Sequence, residues 1–214
     1  MATTSINKFI HHGHADTTHT AYQVTFFEHT ISTLVTHTPS HVDIWITQTE
    51  PLLRHTPIIG LDIEWRPDFQ NPTSRNPVAT LQLCVGRRCL VYQMTHSPFI
   101  PNSLKILLKN PNYTFTGVGV QYDVQKLNED YGIVVAKIAD VRELAAQVYG
   151  NVEFKNAGIK TLGMLVLRRE VEKPKSVTLS RWDDLVLSAE QVKYACIDAF
   201  LSFEIGRVLI SHKD

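Results

Sequence analysis

The sequence predicts an α/β domain, a mixed β-sheet flanked by helices. Three observations carry this. Runs of β-branched and aromatic residues, separated by turn residues, place three strands in antiparallel order around residues 57–93. A strand–helix–strand unit follows, and then a series of helices, which a sheet accommodates only on its faces. Of the 214 residues, 43% are hydrophobic, enough for one substantial core and too many for a disordered chain. No repeat or low-complexity linker divides the chain. It is read as an N-terminal arm over 1–20 and a single domain over 21–214.

Tyr22 to Phe27 and Ile31 to Thr36 read as two strands with a short turn. Ser40 is the candidate cap of a helix over Val42 to Leu53, which Pro51 ends or kinks. Pro57 to Trp65 is an apolar run interrupted by carboxylates and reads as a central strand. Residues 66–77 hold Pro67, Pro72 and Pro77 with no apolar rhythm, so they form a loop. Val78 to Val85 and Cys89 to Gln93 make a hairpin beside the central strand. Leu104 to Leu108 is helical, Tyr113 to Val118 is a strand, and Gln121 to Tyr131 is a helix closed by Gly132. Ile138 ends a short strand. Asp140 caps a helix over Val141 to Tyr149 that stops before Gly150. Ile159 to Leu167 and Ser188 to Ile210 complete the helices, the last opened by a Ser188/Gln191 capping box.

Lys+Arg and Asp+Glu both number 21, so the net charge is zero, which argues against binding nucleic acid through bulk charge but leaves room for a local basic site. Such a site is visible over residues 155–181. Lys155, Lys160, Arg168, Arg169, Lys173, Lys175 and Arg181 face only Glu170 and Glu172 there, a local excess of five. No apolar run approaches ~18 residues, and no basic-then-apolar leader opens the chain, so neither a membrane span nor secretion is expected. The three cysteines, Cys84, Cys89 and Cys196, cannot complete a disulfide framework and lack two further soft ligands for zinc. They read as buried thiols in a reducing compartment, the cytoplasm first and the nucleus as the alternative. Eight of the ten histidines precede residue 56. His11, His12, His14 and His19 permit a metal-binding tail, but without acidic or cysteine companions a polar arm, mobile or ordered on a neighbouring subunit, is the simpler expectation.

Asp62 and Glu64 alternate with Leu61 and Ile63, so both carboxylates leave one face of the strand. Paired acids in a buried strand repel one another and lose hydration, and a hard divalent cation compensates for both. An exposed edge strand with solvated acids is the competing explanation. Tyr194 and Asp198 are four apart and share a helix face. Asp123 follows Gly117-Val118-Gly119-Val120, where a strand hands over to a helix, and alone it reads as a cap.

Leu61-Asp62-Ile63-Glu64-Trp65, Val118-Gly119-Val120-Gln121-Tyr122-Asp123 and Tyr194-Ala195-Cys196-Ile197-Asp198-Ala199 resemble, in order, the three exonuclease motifs of the DEDD superfamily in its tyrosine-bearing branch. Ala79 to Cys84 and Ser180-Arg181-Trp182 support the likeness, which spans about residues 57–210. The chain resembles the exonuclease domain of the Werner syndrome protein and its stand-alone plant relatives, and it also resembles the plant RISC-interacting clearing exoribonucleases. The resemblance implies a ribonuclease-H-like fold with a sheet of five to six strands and two-metal hydrolysis of the 3′-terminal phosphodiester. It implies that Asp62, Glu64, Asp123 and Asp198 hold two Mg²⁺ or Mn²⁺ ions. It further implies that Tyr194 orients the attacking water, since a phenol near pKa ~10 is a poor free base. The narrower plant likeness implies single-stranded RNA as substrate, a homo-oligomer in the form of a hexameric ring, and an RNA-silencing protein partner.

Ile63 and Trp65 are the candidate contacts to the terminal nucleotide, with stacking on Trp65 against a supporting role at the strand end. Lys173 and Lys175 are the candidate guides of the strand, against a solvated basic surface. Trp45 and Trp182 read as core. Three alternatives to an RNA exonuclease stand beside it: a Werner-type exodeoxyribonuclease, a catalytically silent nucleic-acid-binding or assembly module, and an endonuclease of the ribonuclease H type. The last lacks the Tyr194–Asp198 helix pattern.

Overall fold

The computed structural model of the protein describes residues 4–8, 18–68 and 75–212. His11, His12, His14 and part of the proline-rich loop lie outside the described residues. An eight-stranded sheet runs in the order β1-β2-β3-β6-β5-β4-β7-β8. Its strands are β1 (Thr4–Lys8), β2 (His19–Phe26), β3 (His29–Thr36), β4 (Ile58–Glu64), β5 (Thr80–Val85), β6 (Arg88–Gln93), β7 (Thr114–Gly117) and β8 (Ile138–Asp140). The helices are α1 (Pro39–Leu53), α2 (Asn102–Lys109), α3 (Val120–Tyr131), α4 (Val141–Tyr149), α5 (Ile159–Leu162), α6 (Lys175–Thr178) and α7 (Ala189–Ser211).

β4, β5 and β6 form an antiparallel meander, β7 joins β4 in parallel and β8 joins β7 in parallel. On the other edge β3 pairs β6 in parallel, so the N-terminal strands extend the sheet to eight rather than the five or six implied by the resemblance. Residues Thr4–Lys8, expected in a free arm, form β1 and pair antiparallel with β2 from Thr4↔Phe26 to Lys8↔Tyr22. Pairing with β3 leaves the other side of β2 with unpaired backbone groups, and a strand that satisfies them needs little apolar content of its own.

Several boundaries differ from expectation for local reasons. Thr38, not Ser40, is the N-cap of α1, because Pro39 takes the first helical position, where its missing N–H costs nothing. Pro51 is accommodated within α1, near its end. Ile138 begins β8 rather than ending a strand. The helix expected over Ile159 to Leu167 is one α turn followed by a π-helical turn, Gly163–Leu167, closed by Arg168 at φ 57°. The caps at Asp140, Gly132, Gly150 and the Ser188/Gln191 box form as the sequence predicts.

Each face of the sheet buries a core. Leu61, Ile63, Leu81, Leu83 and Tyr92 meet α1, α2 and α3 on one side. On the other side Val24, Ile31, Cys84, Cys89 and Val91 meet α4 and α7. Helix α7 lies directly on the sheet, with Ala195, Ala199, Leu201, Ile205 and Leu209 fully buried. Each large aliphatic there contributes about 1.5–3 kcal/mol, as an upper bound. The approach is closest at Gly60 of β4, where a Cβ would stand 2.0 Å from the Ala199 carbonyl oxygen and 2.5 Å from the Phe203 nitrogen. A second close approach sets Gly206 against Thr116, whose hydroxyl donates to the Ser202 carbonyl at 2.8 Å. Among the described residues no helix is long and apolar enough to cross a membrane. Cys84, Cys89 and Cys196 are free and buried against one another's elements, and burial pushes all three thiols up.

Candidate active site

The Gly60 contact decides what meets across the β4–α7 interface. Two residues beyond Gly60, Asp62 points toward α7, and Asp198 is the α7 residue preceding Ala199. Glu64 lies on the same side of β4. Ligand oxygens of Asp62, Glu64 and Asp198 all lie within 4.8 Å of one another. Leu61 and Ile63 go to the opposite face, as period-two alternation requires. Ile63 is only 3% exposed and packs in that core. Its side chain is therefore not available to a nucleotide, contrary to expectation.

The third segment is held by a separate device. Gly119, at φ 70°, makes the turn from β7 into α3, and its N–H donates to Asp140 Oδ2 at 3.1 Å. Asp140 is itself gripped by Arg142, with Nη2 to Oδ2 at 2.6 Å. This holds Asp123, in the first turn of α3, buried and near enough to Asp62 and Glu64 to repel both, but outside the group of oxygens within 4.8 Å that joins those two to Asp198. Sequence reasoning found the Asp140 cap but not Arg142, which carries no local signature.

The electrostatics follow from four acids in one cleft. Burial first, then repulsion from Asp198, Glu64 and Asp123, holds the Asp62 carboxyl well above the usual range. Burial and Asp198 do the same to Glu64. Burial and the neighbouring Asp140 raise Asp123 to about 7, against the pull of Arg142. Asp198 is raised by burial and relieved by Lys173. One oxygen, Asp62 Oδ2, is buried with no hydrogen-bond partner. An orphaned carboxylate oxygen among hard oxygen donors is what a divalent-cation site needs, so the residues present fit Mg²⁺ or Mn²⁺.

Tyr194 stands one helical turn before Asp198 and is buried. The Thr178 hydroxyl donates to its phenol oxygen at 3.2 Å, and Trp182 packs 5.8 Å from its ring while donating Nε1–H to the Thr178 carbonyl. Burial and Asp198 push the Tyr194 phenol above its ordinary value, so it is protonated at neutral pH. Trp182 and Trp45 are core residues as expected. Trp65 is partly exposed at the lip, 6.1 Å from the Tyr122 ring. Lys126, fully buried, sits 5.3 Å from the Trp65 ring and donates to Asp130 and to the Asn76 carbonyl.

Two of the basic residues divide in unexpected ways. Lys175 is exposed at the start of α6. Lys173 instead turns inward and makes an ion pair with Asp198, its ammonium 4.7 Å from the Tyr194 ring. Burial works against that ammonium, but Asp198 and Asp62 outweigh it and raise its pKa. The apparent charge excess of 155–181 shrinks in the same way. Lys155 pairs with Glu143, Arg169 with Glu28 and Arg181 with Asp184, acids that the segment itself does not contain. Lys160 remains on the cleft wall with Asp62, Lys173 and Asp198.

A mixed sheet flanked by helices, with strand and helix carboxylates meeting at one cleft, is a ribonuclease-H-like fold. Escherichia coli RNase D shares it, with a TM-score of 0.68 over 83% of this chain and 44% of that chain at 20% identity. Residues 44–210 match the model of the 3′-5′ exonuclease family, and the chain belongs to that family. An Arabidopsis thaliana protein named 3′-5′ exonuclease is 36% identical over 152 residues, 71% of this chain and 52% of its own length. The mouse bifunctional 3′-5′ exonuclease/ATP-dependent helicase WRN is 31% identical over 156 residues, 71% of this chain and 11% of its own. The chain thus spans about half of the first relative and a small part of the second. The EXD2 exonuclease domain, in a crystal soaked in Mn, superposes with a TM-score of 0.50 at 25% identity, over 84% of this chain and 90% of that one.

Proposed function

We propose that this domain is a divalent-metal-dependent 3′–5′ exonuclease of the tyrosine-bearing DEDD branch. It releases nucleoside monophosphates from the 3′ end of single-stranded nucleic acid. The observation that carries this is the convergence of Asp62, Glu64 and Asp198 within 4.8 Å, from two elements far apart in sequence, around an unpartnered buried oxygen.

Asp62, Glu64 and Asp198 would hold one cation, and Asp123 would hold a second directly or through water. Bound divalent ions supply neutralisation of the phosphate and a lowered pKa for the attacking water. The chain's own residues do the rest. Tyr194, kept protonated and fixed by Thr178, uses its hydroxyl to orient the water rather than to remove its proton. Trp65 offers a face for the terminal base, held by Tyr122 and Lys126. Lys160 lies where an incoming phosphate passes.

RNA is the favoured substrate, on the strength of the motif likeness to the plant clearing exoribonucleases. That likeness also supports a hexameric ring and an RNA-silencing partner. The similarity to WRN favours the Werner-type DNA exonuclease as the second reading. Matched RNA and DNA oligonucleotides, each 3′-labelled or 5′-labelled and incubated with Mg²⁺ or Mn²⁺, test activity, polarity and sugar preference together. The expected result is a descending ladder from the 3′ end with mononucleotide product, faster on RNA, and none with Asp62→Ala. Internal fragments indicate an endonuclease, and an inert wild type indicates a silent module.

A further inference from the structure

The proposed metal cleft already contains a cation that belongs to the chain. Among the described residues, Lys173 makes the one ion pair that reaches Asp62, Glu64 or Asp198. It is not a surface lysine that happens to lie nearby, since its side chain is 25% exposed and its ammonium rests on the Tyr194 ring. The backbone around it is anchored on both sides. Val171, 3% exposed, packs on Gly163, whose Cβ position lies 3.1 Å from a Val171 methyl. Pro174 caps α6, and α6 delivers Thr178 to Tyr194. Between these anchors the lysine side chain, with its four-carbon stem, can swing without moving the backbone.

We propose that Lys173 is the resident counter-cation of the carboxylate cleft and competes with a divalent ion for Asp198. The inference rests on the metal-site reading above and deepens it. Without a metal, the ammonium relieves the repulsion that would drive Asp62, Glu64 and Asp198 apart, and so holds the ligands near one another. When a divalent ion enters, the ammonium is repelled by it and yields Asp198. The swing leaves it above the cleft beside Tyr194, on the side of Lys160, where an anionic strand approaches. Lys173 is thus a positioning residue in the metal-free protein, and its presence sets the metal concentration at which the site fills.

The test measures metal binding in the absence of nucleic acid. The whole chain, stripped with EDTA, is titrated with Mn²⁺ and free ion is read by electron paramagnetic resonance. This is done for wild type, Lys173→Met, Lys173→Gln and Lys173→Arg. The expected result is Mn²⁺ binding at least tenfold tighter in the two neutral variants and unchanged in Lys173→Arg. Their metal-free melting temperatures fall, and Mn²⁺ restores them. Should Lys173→Met fail to fold, Lys173→Gln, which keeps a polar head near Asp198, carries the measurement. Equal or weaker Mn²⁺ affinity in the neutral variants overturns the competition while leaving the metal site intact. Failure of the wild type to bind Mn²⁺ at all, with Asp62→Ala indistinguishable from it, overturns the metal-site reading and the inference with it.

Discussion

Asp62 is the residue on which the cleft turns. A buried oxygen without a partner is costly, on the order of 1–3 kcal/mol, and the cost is tolerated where a ligand relieves it. The four acids therefore tie stability to pH in a definite direction. Their folded pKa values are raised, so folding takes up protons. The stabilisation is complete below the unfolded carboxylate range near ~4 and is lost as pH rises through the folded values. For Asp123 that window runs from ~4 to about 7, and its full shift corresponds to on the order of 4 kcal/mol. Urea unfolding in EDTA should show a lower midpoint at pH 8 than at pH 5, and saturating Mn²⁺ should remove the slope. A second prediction concerns Tyr194. Its raised pKa excludes it as a free base, so Tyr194→Phe should lower kcat about 10²–10³-fold, the loss of one positioned donor. Mn²⁺ affinity should stay unchanged. A comparable loss of Mn²⁺ affinity would assign Tyr194 to the metal instead.

At the scale of elements, the site depends on how closely α7 lies on β4. Gly60 permits that approach, because a Cβ there would meet the α7 backbone and not a flexible side-chain tip. Gly60→Ala should destabilise the protein by about 1–3 kcal/mol, the usual range for overpacking. It should also weaken Mn²⁺ binding, because Asp198 moves away from Asp62. Gly86→Ala, at a turn with open space around it, tests whether the metal effect is specific to the close approach; its Mn²⁺ affinity should be that of the wild type. Elements were legible in the sequence in proportion to how local their causes are. The Asp140 and Ser188 caps and the Gly132 stop act within a few residues, and the sequence places them correctly. The π turn after Leu162 and strand β1 escape it. The first is fixed by Val171 packing on Gly163, and the second by a ladder with β2, and neither leaves a periodic trace.

At the scale of the whole molecule, net neutrality conceals a redistribution of charge. The sequence segment 155–181 looks strongly basic, yet Glu28, Glu143, Asp184 and Asp198 come from elsewhere in the fold to pair four of its seven cations. On the proposed reading, Lys160 and Lys175 guide the strand whether or not a metal has released Lys173. The double variant Lys160→Glu/Lys175→Glu should bind a single-stranded oligonucleotide more weakly, with a shallower dependence on salt. An unchanged slope in filter binding would place the phosphate contacts elsewhere. For assembly, light scattering should give a particle about six times the 24.3 kDa chain. A monomer mass would remove the ring.

The sequence by itself determined the α/β class and most strand and helix centres, and it marked five residues as candidates for the chemistry. Alternation and helical spacing fix which side chains share a face, and motif order fixes which faces belong together. Only the tertiary structure decided that Lys173 sits on Asp198 instead of along the strand path. The same is true of the Asp140 carboxylate that holds the Gly119 N–H behind Asp123. Each is a contact between groups far apart in the chain, and no local propensity encodes the acid that a distant lysine will meet.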